Sequence, residues 1–403
     1  MSFQPTRDAG LAALADFLPH AGRTYAQERN DDRGPDGGSS VSMLSRYIRH
    51  RSVTEREVVA AVLERHSLAA SEKFVQEVFW RTYWKGWLEL RPEAWSRYQS
   101  DLAALLAESD TAPWRDEYAQ ALAGQTGIDC FDVWVAELAE HGYLHNHTRM
   151  WFASIWIFTL KLPWQLGADL FYRQLFDGDA ASNTLSWRWV AGLQTKGKTY
   201  LARPDNIAQH TDGRFRPRGL ATSAPPLTEE PLPSPIELEL PEEVPPARVG
   251  LLVHEEDLHS ESLSLGRATV EAVAGAPLAG SRSPLGVSGA VSTFTRSAVA
   301  DGLDRAENFF SAQRHDLADV SPDALAEWAA SAGVTHVVTG FAPVGPVRDA
   351  LDRAAPPLAA QGIALVRTRR QWDSRAWPLA SRGFFAFRER IPSFVRDAGI
   401  SFR

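Results

Sequence analysis

Between Leu220 and Ala247 the chain changes character so abruptly that one repeated architecture cannot run through it. The tract PPLTEEPLPSPIELELPEEVPP is dense in proline and acid and holds no basic residue. Each proline fixes its own φ and withholds an N–H donor, which excludes a helix interior and a central strand. The tract therefore reads as an extended, solvated linker crossing a domain surface. It divides 403 residues into two parts, each long enough to bury its own core. The expected boundaries are a domain over 1–218, a linker over 219–247 and a second domain over 248–403.

The two parts carry different periods. Before the linker, GLAALADFL, TEREVVAAVLERHSL, EKFVQEVFWRTYWKGWL and FDVWVAELAEHGYLHNHTRMWFASIWIFTL repeat apolar residues three and four apart, the helical spacing. Thr54 followed by Glu57 predicts a capping box. The Asn30–Ser40 loop, rich in Asp, Gly and Ser, reads as a surface or ligand loop. After the linker, strands are predicted at ARVGLLV, THVVTG and GIALVRT. They alternate with helices at SPDALAEWAASAG, capped by Ser321 and closed by Gly333, and at PVRDALDRAA. Alternation of this kind implies a parallel sheet covered by helices. The fold class is α plus α/β, an all-helical domain followed by a Rossmann-like parallel α/β domain. No GxGxxG or Walker-type loop follows a strand, so a dinucleotide or nucleotide fingerprint is absent.

One cysteine, Cys130, excludes an internal disulfide and a Cys-based zinc site; it is expected as a core thiol, and no metal is expected. No signal peptide opens the chain, and the apolar run Met150–Leu160 is far short of a membrane span. The expected setting is cytoplasmic, without membrane contact. The net charge of −8 argues against nucleic-acid binding by bulk charge. The excess acid lies mostly after residue 218, and all five lysines stand at or before Lys198, which leaves room for a local basic face on the first half.

The chemistry concentrates between Tyr143 and Gly192. YLHNHTRMW places Asn146 and Arg149 on one apolar helix, and DGDAASNTLSWRW brings Asp177, Asp179 and Asn183 before Trp187 and Trp189. Paired acids, an amide and an Arg can grip a polar heterocycle from several sides, and indoles in series beside it suit electron transfer. The chain has 14 tryptophans; a ring-rich helical core explains most of them.

In order, spacing and residue type, these motifs resemble the flavin-binding half of the photolyase/cryptochrome family over about 190 residues. The resemblance implies FAD. Tyr25 and the Ser-rich turn Ser42, Leu44 and Ser45 match the diphosphate-binding region, where hydroxyls and helix-terminal N–H groups suit an anion; Met43 stands where the family usually has Arg. Asp179 would accept from the ring's imide and the ribose, Asn183 would lie beside N5, and Arg149 would pair with Asp177. Arg81 completes the cofactor set. Glu77 and Trp80, on one helix face, would meet a flipped thymine dimer together with Asn146, Met150 and Trp189, while Arg29 and Lys85 would meet DNA phosphates and Gln209 falls at a DNA-contact position. Trp187 and Trp164 align with the inner members of the family's electron chain, with Trp114 the nearest candidate for the distal one. All these motifs precede the linker, so residues 1–218 alone are expected to hold FAD.

The family ordinarily begins with an α/β domain, and here a similar one follows. RVGLLVHEEDLHSESL resembles its opening strand and turn, with Glu255, Glu256 and His259 replacing usual arginines. THVVTGFAPVGPVRDAL resembles a later strand and turn, and RGFFAFRERIP its closing segment. The resemblance implies a circular permutant; the alternative is an unrelated α/β module. An antenna chromophore, of identity the sequence does not give, belongs to this domain in the family. The activity implied is light-driven repair of cyclobutane pyrimidine dimers in damaged DNA, a lyase reaction, by a monomer. Asn146, where six-four enzymes carry His, favours the cyclobutane lesion. The alternative is a cryptochrome-like blue-light photoreceptor without repair.

Overall fold

The computed structural model describes residues 3–35, 37–38 and 40–401. Asp36 and Ser39 of the Asn30–Ser40 loop lie outside the described residues. The first half is helical throughout, as the apolar spacing requires. Thr54 and Glu57 close the predicted capping box at the start of the helix Glu55–Arg65. Ser67 caps the long helix Leu68–Glu89, its side chain accepting from the Ala70 N–H at 3.3 Å. The long apolar run after Phe131 is not one helix. Gly142, at φ 58°, ends the helix Asp129–His141, and the chain re-enters at Asn146–Ser154 with His145 as the cap. A π-helical turn, Ile155–Thr159, follows at once. Such turns insert a residue and re-aim side chains, and they recur at functional sites.

The linker is extended, with neither helix nor strand over residues 214–247. Leu227 N–H donates to the Ala191 carbonyl at 3.0 Å and Ile236 N–H to the Leu90 carbonyl at 2.9 Å, while Arg188 pairs with Glu229. Farther on, Arg367 N–H donates to Glu242 at 2.9 Å and Arg369 to the Glu239 carbonyl at 2.9 Å.

The second half holds a five-stranded parallel sheet in the order β3-β2-β1-β4-β5. The strands are β1 Arg248–His254, β2 Thr269–Ala276, β3 Gln313–Asp316, β4 His336–Gly340 and β5 Ala364–Thr368. β1 and β4 pair in parallel with Gly250 opposite Val337. Separate apolar clusters cover the two faces, one around Trp328 and Leu351, the other around Val299 and Leu303. The sequence reading found β1, β4 and β5 and missed β2, β3 and the helix Gly289–Phe310. Half of β2 is Ala or Gly, and β3 is QRHD, an edge strand with no apolar signal.

The helical core extends beyond the linker. Trp372, Ala376, Phe384, Phe387, Ile391 and Phe394 belong to the same buried cluster as Phe79 and Leu88. Phe79 stacks on Trp372 at 5.0 Å, and Trp372 Nε1 donates to Thr82 at 3.0 Å. Gly86 makes this fit: a Cβ there would stand 2.7 Å from the Trp377 Cα. The last helices of the second half thus supply one wall of the core of residues 1–218.

Candidate flavin site

The site is organised by the loop Asp177–Gly178–Asp179. Asp179 caps the helix Ala180–Val190, accepting from the Ser182 N–H at 2.7 Å, and its second oxygen takes Arg81 Nη1 at 2.7 Å. Burial works to raise its pKa, but Arg81, Lys85 and Arg49 together pull it down to about 2. Asp177 is gripped by both terminal nitrogens of Arg149, each at 3.0 Å, while Arg149 Nε donates to the Leu144 carbonyl at 2.9 Å. Burial again opposes ionisation, and Arg149 again wins, so Asp177 stays below the usual carboxylate range. The Ser45 hydroxyl also bonds this carboxylate. Asn183, one turn into the helix, donates from Nδ2 to the Ala168 carbonyl at 2.7 Å.

Ser42 accepts from the Leu44 N–H at 3.4 Å. Met43 between them sits at φ 52°, a left-handed conformation uncommon outside Gly and Asn. Leu44 itself is buried in the core, so its side chain cannot be a ligand and only its backbone remains available. Sequence reasoning missed Arg46. It is 1% exposed, its three guanidinium nitrogens have no hydrogen-bond partner, and it lies between the rings of Phe3 and Tyr143. Burial drives its pKa down to about 10. A buried cation without an acceptor, one residue after Ser45, fits an anionic group such as a diphosphate. The donor set present is thus compatible with FAD.

The rim residues are arranged less simply. Glu77 is paired with Arg29 rather than left free, and burial outweighs Arg29 to raise its pKa. Arg29 also hydrogen-bonds Tyr25, whose ring packs on Phe17 and Phe74. Trp80, expected to pack on a base, is stacked under Phe384 at 3.5 Å and 13°. The closing segment, which the sequence placed with the α/β domain, reaches back to cover it. Asn146 is exposed at the first turn of its helix and Met150 is half-buried one turn on. Trp189 packs on Tyr200 at 5.7 Å. Beyond Tyr200 opens a cleft of about 410 Å³ lined by Asn30, His147, Arg203 and His210, with Gln209 exposed on the adjoining helix Pro204–His210. Lys85 is corrected: its side chain is 1% exposed and cannot reach a DNA phosphate.

Trp187 is buried and its Nε1 has no partner. Gly167 seats it, since a Cβ there would stand 2.3 Å from the indole. Trp156, on the π turn, lies 6.2 Å away edge-on. Tyr118 lies 5.9 Å beyond Trp156, and the half-buried Trp114 5.8 Å beyond Tyr118. Trp164 packs on Tyr98 at 5.7 Å. Trp114 is therefore joined to Trp187 by ring contacts through Trp156 and Tyr118, not through the expected Trp164.

Residues 74–216 match the family described as the FAD binding domain of DNA photolyase. The helical half is thus similar to the FAD-binding domain of the photolyase family. A deoxyribodipyrimidine photo-lyase of Streptomyces griseus is 33% identical over 214 residues, covering 50% of this chain and 44% of that protein. One from Agrobacterium fabrum is 31% identical over 195 residues, covering 47% and 38%. The chain thus spans less than half the length of these relatives. A solved Synechocystis cryptochrome is 24% identical with a TM-score of 0.42, covering 53% of this chain and 44% of its own. The cofactor of this family's helical domain is FAD. Among the described residues no helix is long and apolar enough to cross a membrane.

Proposed function

We propose that the protein splits cyclobutane pyrimidine dimers in damaged DNA under blue light. Bound and reduced, FAD would supply the light-driven electron donor, as cofactors carry such chemistry while proteins orient it. The observation that carries the reading is the pair of fixed acids, Asp179 held by Arg81 and Asp177 held by Arg149. Asp179 would accept from the ring's imide N–H, and Asp177 would keep Arg149 from swinging into the pocket. Asn183 and Trp187 lie four residues apart on one helix and so share a face; Trp187 would refill the cofactor with electrons. Asn146, exposed on the rim, would hydrogen-bond one base of a flipped dimer. Glu77 would take the other after exchanging its Arg29 partner. Damaged bases are easier to extrude because their pairing is already weakened.

A second reading, light sensing without repair, draws on the Trp80–Phe384 stack and the Glu77–Arg29 pair, which occupy the groups a dimer would use. Illumination of reduced protein with dimer-containing oligothymidylate separates the two. Recovery of thymine absorbance supports repair; none under any reducing condition leaves sensing.

The order of segments is itself part of the proposal. Arg56 donates to the Ala398 carbonyl at 3.2 Å, and the next residue, Glu57, pairs with Arg7. A segment that precedes the linker and one that follows the α/β half thus meet at one helix turn, a proximity that a rearranged order of segments requires. This supports reading the α/β half as the family's first domain moved behind the helical one.

A further inference from the structure

In doubly wound sheets the crevice at the carboxyl ends of the strands, where strand order reverses, is the usual place for a ligand. Here the order reverses between β1 and β4, and that crevice is filled. The turn after β1 carries Glu255, Glu256 and Asp257, all buried. Arg49, His50 and Arg51 of the helical half are inserted against it. Arg49 reaches two ways. Its Nη2 donates to Glu256 at 2.7 Å and its Nη1 to the Glu255 carbonyl at 3.1 Å, while its Nε donates to the Gly178 carbonyl at 2.7 Å. Gly178 lies between the two site acids. Arg282 makes a second tie, to the Leu175 carbonyl and Glu255, each at 3.4 Å. Lys85 stands between the halves, 3.8 Å from Glu256 and 4.0 Å from Asp179, and its ammonium has no hydrogen-bond partner.

Buried ions are poor glue, because desolvation offsets their attraction and apolar packing would hold the domains as well. The geometry points elsewhere. Arg49, Arg282 and Lys85 each join the acidic turn after β1 to the loop 175–179, through Gly178, Leu175 and Asp179 respectively. We propose that Glu256 and Lys85 are positioning residues of the flavin site. With Arg49 they fix the Asp177–Asp179 loop and set the electrostatic field around it, so that the α/β half governs how readily the cofactor takes up electrons. This rests on the reading that the loop holds FAD.

The test uses the full chain and compares its affinity for oxidised FAD with its affinity for reduced FAD, measured anaerobically. Glu256→Gln keeps the shape and an acceptor for Arg49 while removing a negative charge, which favours the more negative, reduced form. The ratio of reduced to oxidised affinity should rise by about threefold or more. Lys85→Gln removes a positive charge and should lower the same ratio by about threefold or more. Glu256→Asp, which keeps the charge, should return it toward the wild-type value. Equal losses in both affinities, a change in ratio under about threefold, or shifts of the same sign in the two variants would overturn the proposal. Should Glu256→Gln not accumulate as folded protein, the sign for Lys85→Gln decides alone. Wild-type protein that binds neither form would bring down the flavin reading itself, and this inference with it.

Discussion

Replacing Asp179 with asparagine removes one charge and almost no volume, which isolates what that charge contributes to the protein free of cofactor. Its carboxyl is depressed from 3.8 to about 2, with burial overcome by Arg81, Lys85 and Arg49. A depressed carboxyl contributes stability that is fully present above its unfolded pKa. That contribution drains away as pH falls through the folded one, here between about pH 4 and 2. At about 1.36 kcal/mol per pKa unit the shift corresponds to roughly 2 kcal/mol at neutral pH, with about half remaining at pH 3. Asp179→Asn should therefore lower the stability of the apoprotein by about 2 kcal/mol at pH 7 and by about 1 kcal/mol at pH 3. Urea unfolding at pH 7, 5 and 3, followed by tryptophan fluorescence in low salt, measures both. A deficit that stays constant with pH, or widens on acidification, would refute the electrostatic account of how the loop is held.

Trp187→Phe should block photoreduction of oxidised FAD, read as loss of flavin absorbance under light; Trp156→Phe should slow it more than Trp164→Phe, and the opposite order would restore the expected Trp164 route. Glu77→Ala should reduce dimer repair per absorbed photon, while six-four lesions should not be repaired; turnover of six-four DNA alone would reverse the substrate assignment. Phe384→Ala uncovers Trp80 and should tighten binding of dimer-containing DNA, by up to about 1–3 kcal/mol for one base–aromatic stack; weaker binding would mean Phe384 is itself part of the DNA face. Residues 1–218 alone should fail to give a cooperative thermal transition, and adding the segment 371–401 in trans should restore it; a cooperative transition without that segment would show the closing helices to be dispensable.

How far the sequence could be read depended on whether a signal was local. Thr54 with Glu57 and the strands β1 and β4 are written in neighbouring residues, and spacing suffices to find them. The pairing of Asp177 with Arg149 joins two motifs that the family resemblance had already brought together. What spacing could not show was contact across the chain. Phe384 lies some three hundred residues from Trp80, and nothing local to either predicts that they stack. Arg46 carries no local signal, and Lys85 reads as a phosphate contact; only three-dimensional burial reveals that one lacks an acceptor and the other is shared between two acids. Trp156 went unnoticed for a different reason. A π turn breaks the regular period just where it stands, so helical counting misplaces its ring.

The extended tract across the surface has a kinetic consequence. Its backbone hydrogen bonds at Leu227 and Ile236, and its ion pair at Glu229, pin it at intervals to the helical half, and Glu239 and Glu242 pin it to residues around β5. A tether of this composition would ordinarily let two domains swing as independent bodies. Sewn down at several points, it behaves instead as a seam. A protease must first lift a stretch between stitches, so cleavage should follow the rate of local opening rather than the length of chain on view. Once cut, the two pieces should still travel as one particle, because Trp372 and Phe394 on one piece remain locked against Phe79 on the other.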